Sequence, residues 1–152
     1  MLLINDFRNY IQEIKDTNAN IARNESVIDD SQILKFLEDI PDDGKYIVIG
    51  ILPAHNPKGD IDNMQSIDRC AILILKKVTR SDQDQNIFLN TIAEAQTVAR
   101  AVVLKMVADQ LKEETVCGIM KYLLAETINV DPIWALAGCD GYEINFNLQT
   151  IF

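Results

Sequence analysis

The residues with the most chemical reach stand close together. His55, Asp60 and Asp62 fall in AHNPKGDIDNMQ, residues 54–65. His55 is the only histidine in the chain, so any Ser/His/Asp or Cys/His nucleophile would have to run through it. The Asp60-x-Asp62 pair could hold a hard divalent cation through its carboxylate oxygens. Together the three would make a small carboxylate-dependent hydrolase site. The same residues also read as a solvated, turn-rich loop, because the GDID stretch has turn chemistry and the Glu that ends an EF-hand loop is missing. No GxSxG elbow, P-loop or GxGxxG appears. The chain is therefore expected to be no enzyme and to need no cofactor or metal. Cys70, Cys117 and Cys139 are odd in number and show no CxxC spacing. They read as buried small hydrophobes in a reducing compartment, not as ligands or disulfides.

The 152 residues fit one domain, 1–152, able to bury a core without metal or cross-link. Apolar residues make up 48% and charged residues 24%, an ordinary globular composition. The net charge is −9 and the longest basic cluster is Lys76-Lys77. That argues against nucleic-acid binding as the main task, which needs a basic stripe. It suits solubility, a basic partner, or repulsion of DNA passing nearby. The opening MLLINDFRNY lacks the basic-then-apolar order of a signal peptide. No stretch is expected to approach the ~20 apolar residues that cross a bilayer. A soluble chain made in a cytoplasm, with no membrane, is expected.

These residues must be positioned by the surrounding elements. Phe7, Tyr10, Ile11 and Ile14 share one face of a helix predicted over 5–18, capped by Asn5 or Asp6. Residues 19–30 read as a loop. A short helix follows at 31–40, capped by Asp30 or Ser31 and ended by Pro41. KYIVIGILP (45–53) and RCAILILKKV (69–78) read as core strands joined by the long loop 54–65. Ser81-x-x-Asp84 is a capping box opening a helix over 84–112. Its stripe is Phe88, Ile92, Ala95, Ala99, Val102, Val103 and Met106, with Lys105 and Asp109 paired on the wet side. Residues 113–125 read as a loop with one helical turn. A strand at 126–134 turns through ALAGCDG, where Gly138 and Gly141 would supply φ > 0, and a strand at 141–151 returns. The expected class is α+β. It is a mostly antiparallel sheet of about four strands, with one long helix across a face and N-terminal helices.

The last strand alternates. Tyr142, Ile144, Phe146 and Leu148 fall on one side, with Glu143, Asn145, Asn147 and Gln149 on the other. An amide-rich face hydrogen-bonds well and repels little, as a strand covered by a neighbouring subunit would. A central or helix-covered strand would carry the same pattern. Trp134 reads equally as an interface anchor or as core. The candidate interface comprises His55, Lys58, Asp60, Asp62 and Trp134 together with Asn145, Asn147 and Gln149.

This order of elements, with NVDPIW (129–134) followed by GYEINFNL (141–148), resembles the small ring-forming proteins of tailed-phage necks and tails. It is most similar to the tail terminator family and its head–tail joining relatives in Bacteroidetes phages and prophages. There an acidic residue plus Pro precedes a short turn and a Gly-aromatic-x-x-x-Phe-x-Leu strand. The architecture matches over most of the chain, the motif over its last quarter. The resemblance implies a structural virion protein with no catalytic residues, made in the bacterial host cytoplasm. It implies a homo-oligomer, usually a hexameric ring, that caps the tail tube and joins it to the head beside other tail and neck proteins. DNA would pass the lumen without specific binding. Loop 54–65 would reach a neighbouring ring or the lumen, where Asp60 and Asp62 suit sliding DNA. The rival reading is a cytoplasmic adaptor or immunity-type protein, monomeric or dimeric, holding a basic partner.

Overall fold

A computed structural model describes residues 1–60, 62–79, 85–112 and 118–151. The capping box at Ser81–Asp84, Cys117 and Phe152 lie outside the described residues. Helix α1 (Ile4–Thr17) is followed by β1 (Ile21–Val27), α2 (Asp30–Glu38), β2 (Tyr46–Lys58) and β3 (Gln65–Lys77). Then come the long α3 (Gln85–Gln110), a 3-10 turn at Gly118–Tyr122, β4 (Leu123–Leu136) and β5 (Cys139–Ile151). The five strands form one sheet in the order β1-β2-β3-β5-β4. β1 pairs parallel to β2 and the other pairings are antiparallel. The class is α+β, with a mixed sheet and one long helix across a face.

The side-chain period of two sorts the sheet residues into two layers. Val48, Ile72, Ile74, Tyr142, Ile144, Phe146 and Leu148 lie buried under α1 and α3. Ile47, Ile49, Leu73, Leu75 and Cys139 face the other way and pack with Ile33, Leu37 and Ile40 at α2. Cys70 and Cys139 are buried on opposite sides of the sheet, as small hydrophobes. Helix α1 starts after Leu3 with no side-chain cap, not at Asn5 or Asp6. Its four buried residues, Phe7, Tyr10, Ile11 and Ile14, each contribute roughly 1.5–3 kcal/mol. That far exceeds the ~1 kcal/mol of a missing cap. Gly50 lets α1 sit this close: a Cβ there would stand 2.6 Å from Ile11 and 2.8 Å from Phe7. α2 is capped by Asp29, whose carboxylate accepts from the Gln32 amide, instead of by Asp30 or Ser31.

Several expectations need correction. The loop at 19–30 contains β1, a strand that hides only Ile21 and Val27 at its ends. Edge position removes the alternation that sequence patterns depend on. The long loop 54–65 shrinks to 59–64, because β2 runs on to Lys58 and β3 begins at Gln65. Pro53 and Pro57 obscured this. β1 covers β2 only as far as Ile51, so beyond it β2 is an edge where a missing N–H costs little. Of the stretch 113–125, the single helical turn is present at Gly118–Tyr122, β4 starts at Leu123 instead of 126, and 113–117 lie outside the described residues. Gly138 has φ 77° and makes the turn, but Gly141 does not. Gly141 is instead a close approach between strands, its Cβ position 1.9 Å from the Ile74 carbonyl oxygen.

By length and mean hydropathy (1.3) α3 would suffice to cross a bilayer, contrary to the reading that no stretch comes near. Here one side of it lies on the sheet, burying Ala95, Val98, Ala99, Val102 and Met106.

Candidate functional site

His55 does not meet Asp60 or Asp62. It stands on β2 opposite Asp68 of β3, and its Nδ1 lies 2.7 Å from the Asp68 carboxylate. Asp60 and Asp62 are exposed in the turn beyond Lys58. Among the described residues, no three His, Cys, Asp or Glu side chains gather in a way that could hold a metal.

Asp68 is the centre of a buried polar knot. The side chain is 0% exposed. One carboxylate oxygen accepts from His55 Nδ1 and from the Ser66 hydroxyl at 2.6 Å. The other accepts from the Leu2 amide at 2.8 Å and the Thr150 hydroxyl at 2.7 Å. β2, β3, β5 and the chain leading into α1 are thereby tied to one group. Burial pushes the Asp68 pKa up, but the bonds from Ser66, Thr150, His55 and Leu2 outweigh it and hold the carboxyl below its ordinary value. Sequence reasoning passed over Asp68. The signal was there: Ser66, Asp68, Cys70, Ile72 and Ile74 alternate on the core side of one strand.

The knot contains a serine, a histidine and an aspartate, but wired unlike a hydrolase. A nucleophilic serine must give its proton to the histidine, which the aspartate orients. Here Ser66 donates to Asp68 and is itself 0% exposed. Thr150, 5% exposed, also donates to Asp68. Both hydroxyls are committed to Asp68, and neither is hydrogen-bonded to His55. The arrangement serves as a strut.

A second buried carboxylate, Asp109 on α3, accepts from the Tyr10 hydroxyl, Lys105 and Lys112. The Lys105–Asp109 pair forms as expected, but Asp109 is 2% exposed and not on a wet face. Lys105 reaches on to Glu13 of α1, so this group rivets α1 to α3. Burial again pushes Asp109 up, and the two lysines and Tyr10 outweigh it, leaving the carboxyl low.

No protein-family model matches this chain, and a search of curated proteins finds no match either.

What remains is surface. β5 lies between β3 and β4, so the terminal strand is not an edge awaiting a neighbour. The chain's own β4 covers it. Asn145, Asn147 and Gln149 do share one face with Lys58 and Arg69, judged by the register. That is the half of the α2 side of the sheet that α2 does not reach. Gln149 there donates to Gln65. Trp134, near the end of β4, is 68% exposed. So the structure brings Lys58, Asn145, Asn147 and Gln149 onto one face. It leaves Asp60 and Asp62 at a turn and draws His55 into the knot.

Helix α3 carries the second open surface. Its covered side holds the stripe expected from the sequence, with Phe88, Ile92 and Val103 only half-buried. Its outer side, however, also exposes Leu104, with Ala101 and Ala108 one turn to either side, and Leu111 just past its end. A soluble helix usually offers polar residues there.

Proposed function

We propose that this chain is a structural ring subunit of a tailed-phage particle, a tail terminator or neck protein, and that it acts by associating with its own copies in the virion. The observation that carries the reading is α3. One side is covered, and the open side exposes Ile87, Leu89 and Leu104 among its polar residues; large apolar side chains grouped on a face open to water mark an interaction surface. The half-open sheet face with Asn145, Asn147 and Gln149 adds a second, polar surface, so the subunit has more than one side to offer. The buried carboxylates Asp68 and Asp109 are spent on holding the fold, which fits a scaffold better than a catalyst. A net charge of −9 suits a lumen through which DNA slides.

Light scattering across a concentration series tests this. Six chains of 17.1 kDa would give a species of about 103 kDa (6 × 17.1), resolved as a closed ring by electron microscopy. A monomer or dimer at every concentration would defeat the ring. The acidic run around Glu38, Asp39, Asp42 and Asp43 carries the second reading, an adaptor for a basic protein. That reading gains if such a partner binds and no ring forms.

A further inference from the structure

We infer that the outer seam of α3 docks on a second copy of this chain, against the acidic end of that copy around α2. This rests on the ring reading and names the surfaces that would build it. The exposed residues Thr97, Ala101, Leu104, Ala108 and Leu111 recur at spacings of four and three. That is the spacing of a helix-pairing seam, in which small residues let a partner backbone come close. Leu104 is 58% and Leu111 79% exposed. Beside the seam, between α3 and β4, lies a groove of about 440 Å³ with Val103 and Val130 in its lining. The exposed charges beside the seam are basic: Arg100, and Lys112, which is paired with the buried Asp109 carboxylate. The acids on α3 are engaged elsewhere: Glu94 pairs with Lys76 and Asp109 is buried.

Charge complementarity selects the occupant. Pairing two α3 seams about a two-fold axis would set one basic rim against the same rim. Around α2 the chain has the opposite character. Ile28 (67%) and Leu34 (42%) are exposed apolar residues, flanked by exposed Glu38, Asp39 and Asp42, which outnumber the one exposed base of α2, Lys35. The two surfaces also lie apart. α3 packs over β3, β5 and β4, whereas α2 packs on the opposite face, at Ile47, Ile49, Leu73 and Leu75. Two different patches on opposite sides of the sheet make a head-to-tail contact, and repetition of such a contact closes a ring or extends a filament.

The test uses two variants of the full chain, Leu104→Cys and Leu34→Cys, each with Cys117→Ser, so that the new thiol is exposed while the remaining Cys70 and Cys139 are buried. Both altered leucines are exposed, and circular dichroism confirms folding before use. The variants are mixed at the concentration where association is seen, then oxidised mildly. A 104–34 cross-link in the mixture, with no cross-link in either variant alone, is expected. In parallel, Arg100→Glu weakens association about tenfold, and adding Glu38→Arg to the same chain restores it to within about twofold. A 104–104 cross-link overturns the proposal in favour of a two-fold pair. A ring of unchanged mass with no 104–34 cross-link overturns these surfaces and leaves the ring reading standing. A wild-type chain that never associates removes both.

Discussion

Under α1 and α3 the sheet is closed. Tyr142, Ile144, Phe146 and Leu148 are buried, and the buried carboxylate Asp68 on this side takes hydrogen bonds from four donors. On the other face α2 closes only the half near Ile47, Ile49, Leu73 and Leu75, and the same strands run on past it carrying Arg69, Asn145, Asn147 and Gln149. Identical backbone pairing therefore supports a sealed layer and an open one. The difference shows where stability and association separate. Charge on the closed face must be neutralised inside the fold, whereas polar side chains on the open face can wait for a partner.

The sharpest way to break the comparison is at its buried charge. Asp68→Asn keeps the shape but exchanges an acceptor for a donor, so two of the four donors lose their partner. Each stranded buried donor costs about 1–3 kcal/mol and bonds to a charge are worth more. Unfolding by urea should show a loss of about 3–5 kcal/mol. A loss below about 1 kcal/mol would mean that water enters the knot and the strut is not structural. Next comes Gly50→Ala, which would drive a methyl into Ile11 and Phe7. Those are side chains able to shift, so roughly 1–3 kcal/mol is expected. No change in the denaturation midpoint would show that α1 floats on the sheet.

Much of the closed face was legible in the sequence. The apolar stripe of α1, the core strands at 45–53 and 69–78 and the alternation after Tyr142 rest on burial, and burial imposes period. What escaped is where burial is weak or local rules mislead. β1 is a polar edge, β2 carries two prolines beyond its last pairing with β1, and Gly141 serves strand approach where a turn was read. The knot escaped for another reason. His55 was grouped with Asp60 and Asp62 by nearness in sequence, whereas β-pairing brought it to Asp68, 13 residues on. Cross-strand partners follow from register, and register was lost once the hairpin was read as a long loop.

Acid should act on the closed layer. Asp68 and Asp109 both have folded-state pKa values below ordinary. Their contribution is present above the unfolded carboxylate value of about 3.9 and is lost as pH falls through the lower folded values. Stability measured from pH 6 downward should hold to about pH 4 and then drop. Asp68→Asn should flatten that drop, and an acid limb as steep as the wild type's would assign it to other carboxylates. A smaller effect of opposite sign belongs to the β4–β5 hairpin. Ala135 and Ala137 both have positive φ, 64° and 49°, a region costing roughly 1 kcal/mol for a residue with a Cβ. Ala137→Gly should raise stability by about 0.5 kcal/mol, since the relief exceeds the entropy glycine adds.

The smallest effect is the most telling for the open face. Ile144 and Asn145 are neighbours on β5 that point to opposite layers. Ile144→Ala should cost the roughly 2–5 kcal/mol of a buried truncation, while Asn145→Ala should stay within about 0.5 kcal/mol of wild type in the isolated subunit. The pair of values separates the layers along a single strand, because both substitutions leave the backbone pairing with Ala71 and Ile72 intact. If Asn145→Ala is silent in unfolding but lowers the assembled mass in light scattering, the open layer is a contact surface. If it destabilises the subunit as Ile144→Ala does, the amides form a structural ladder of their own, and the seam on α3 is left as the surface through which copies meet.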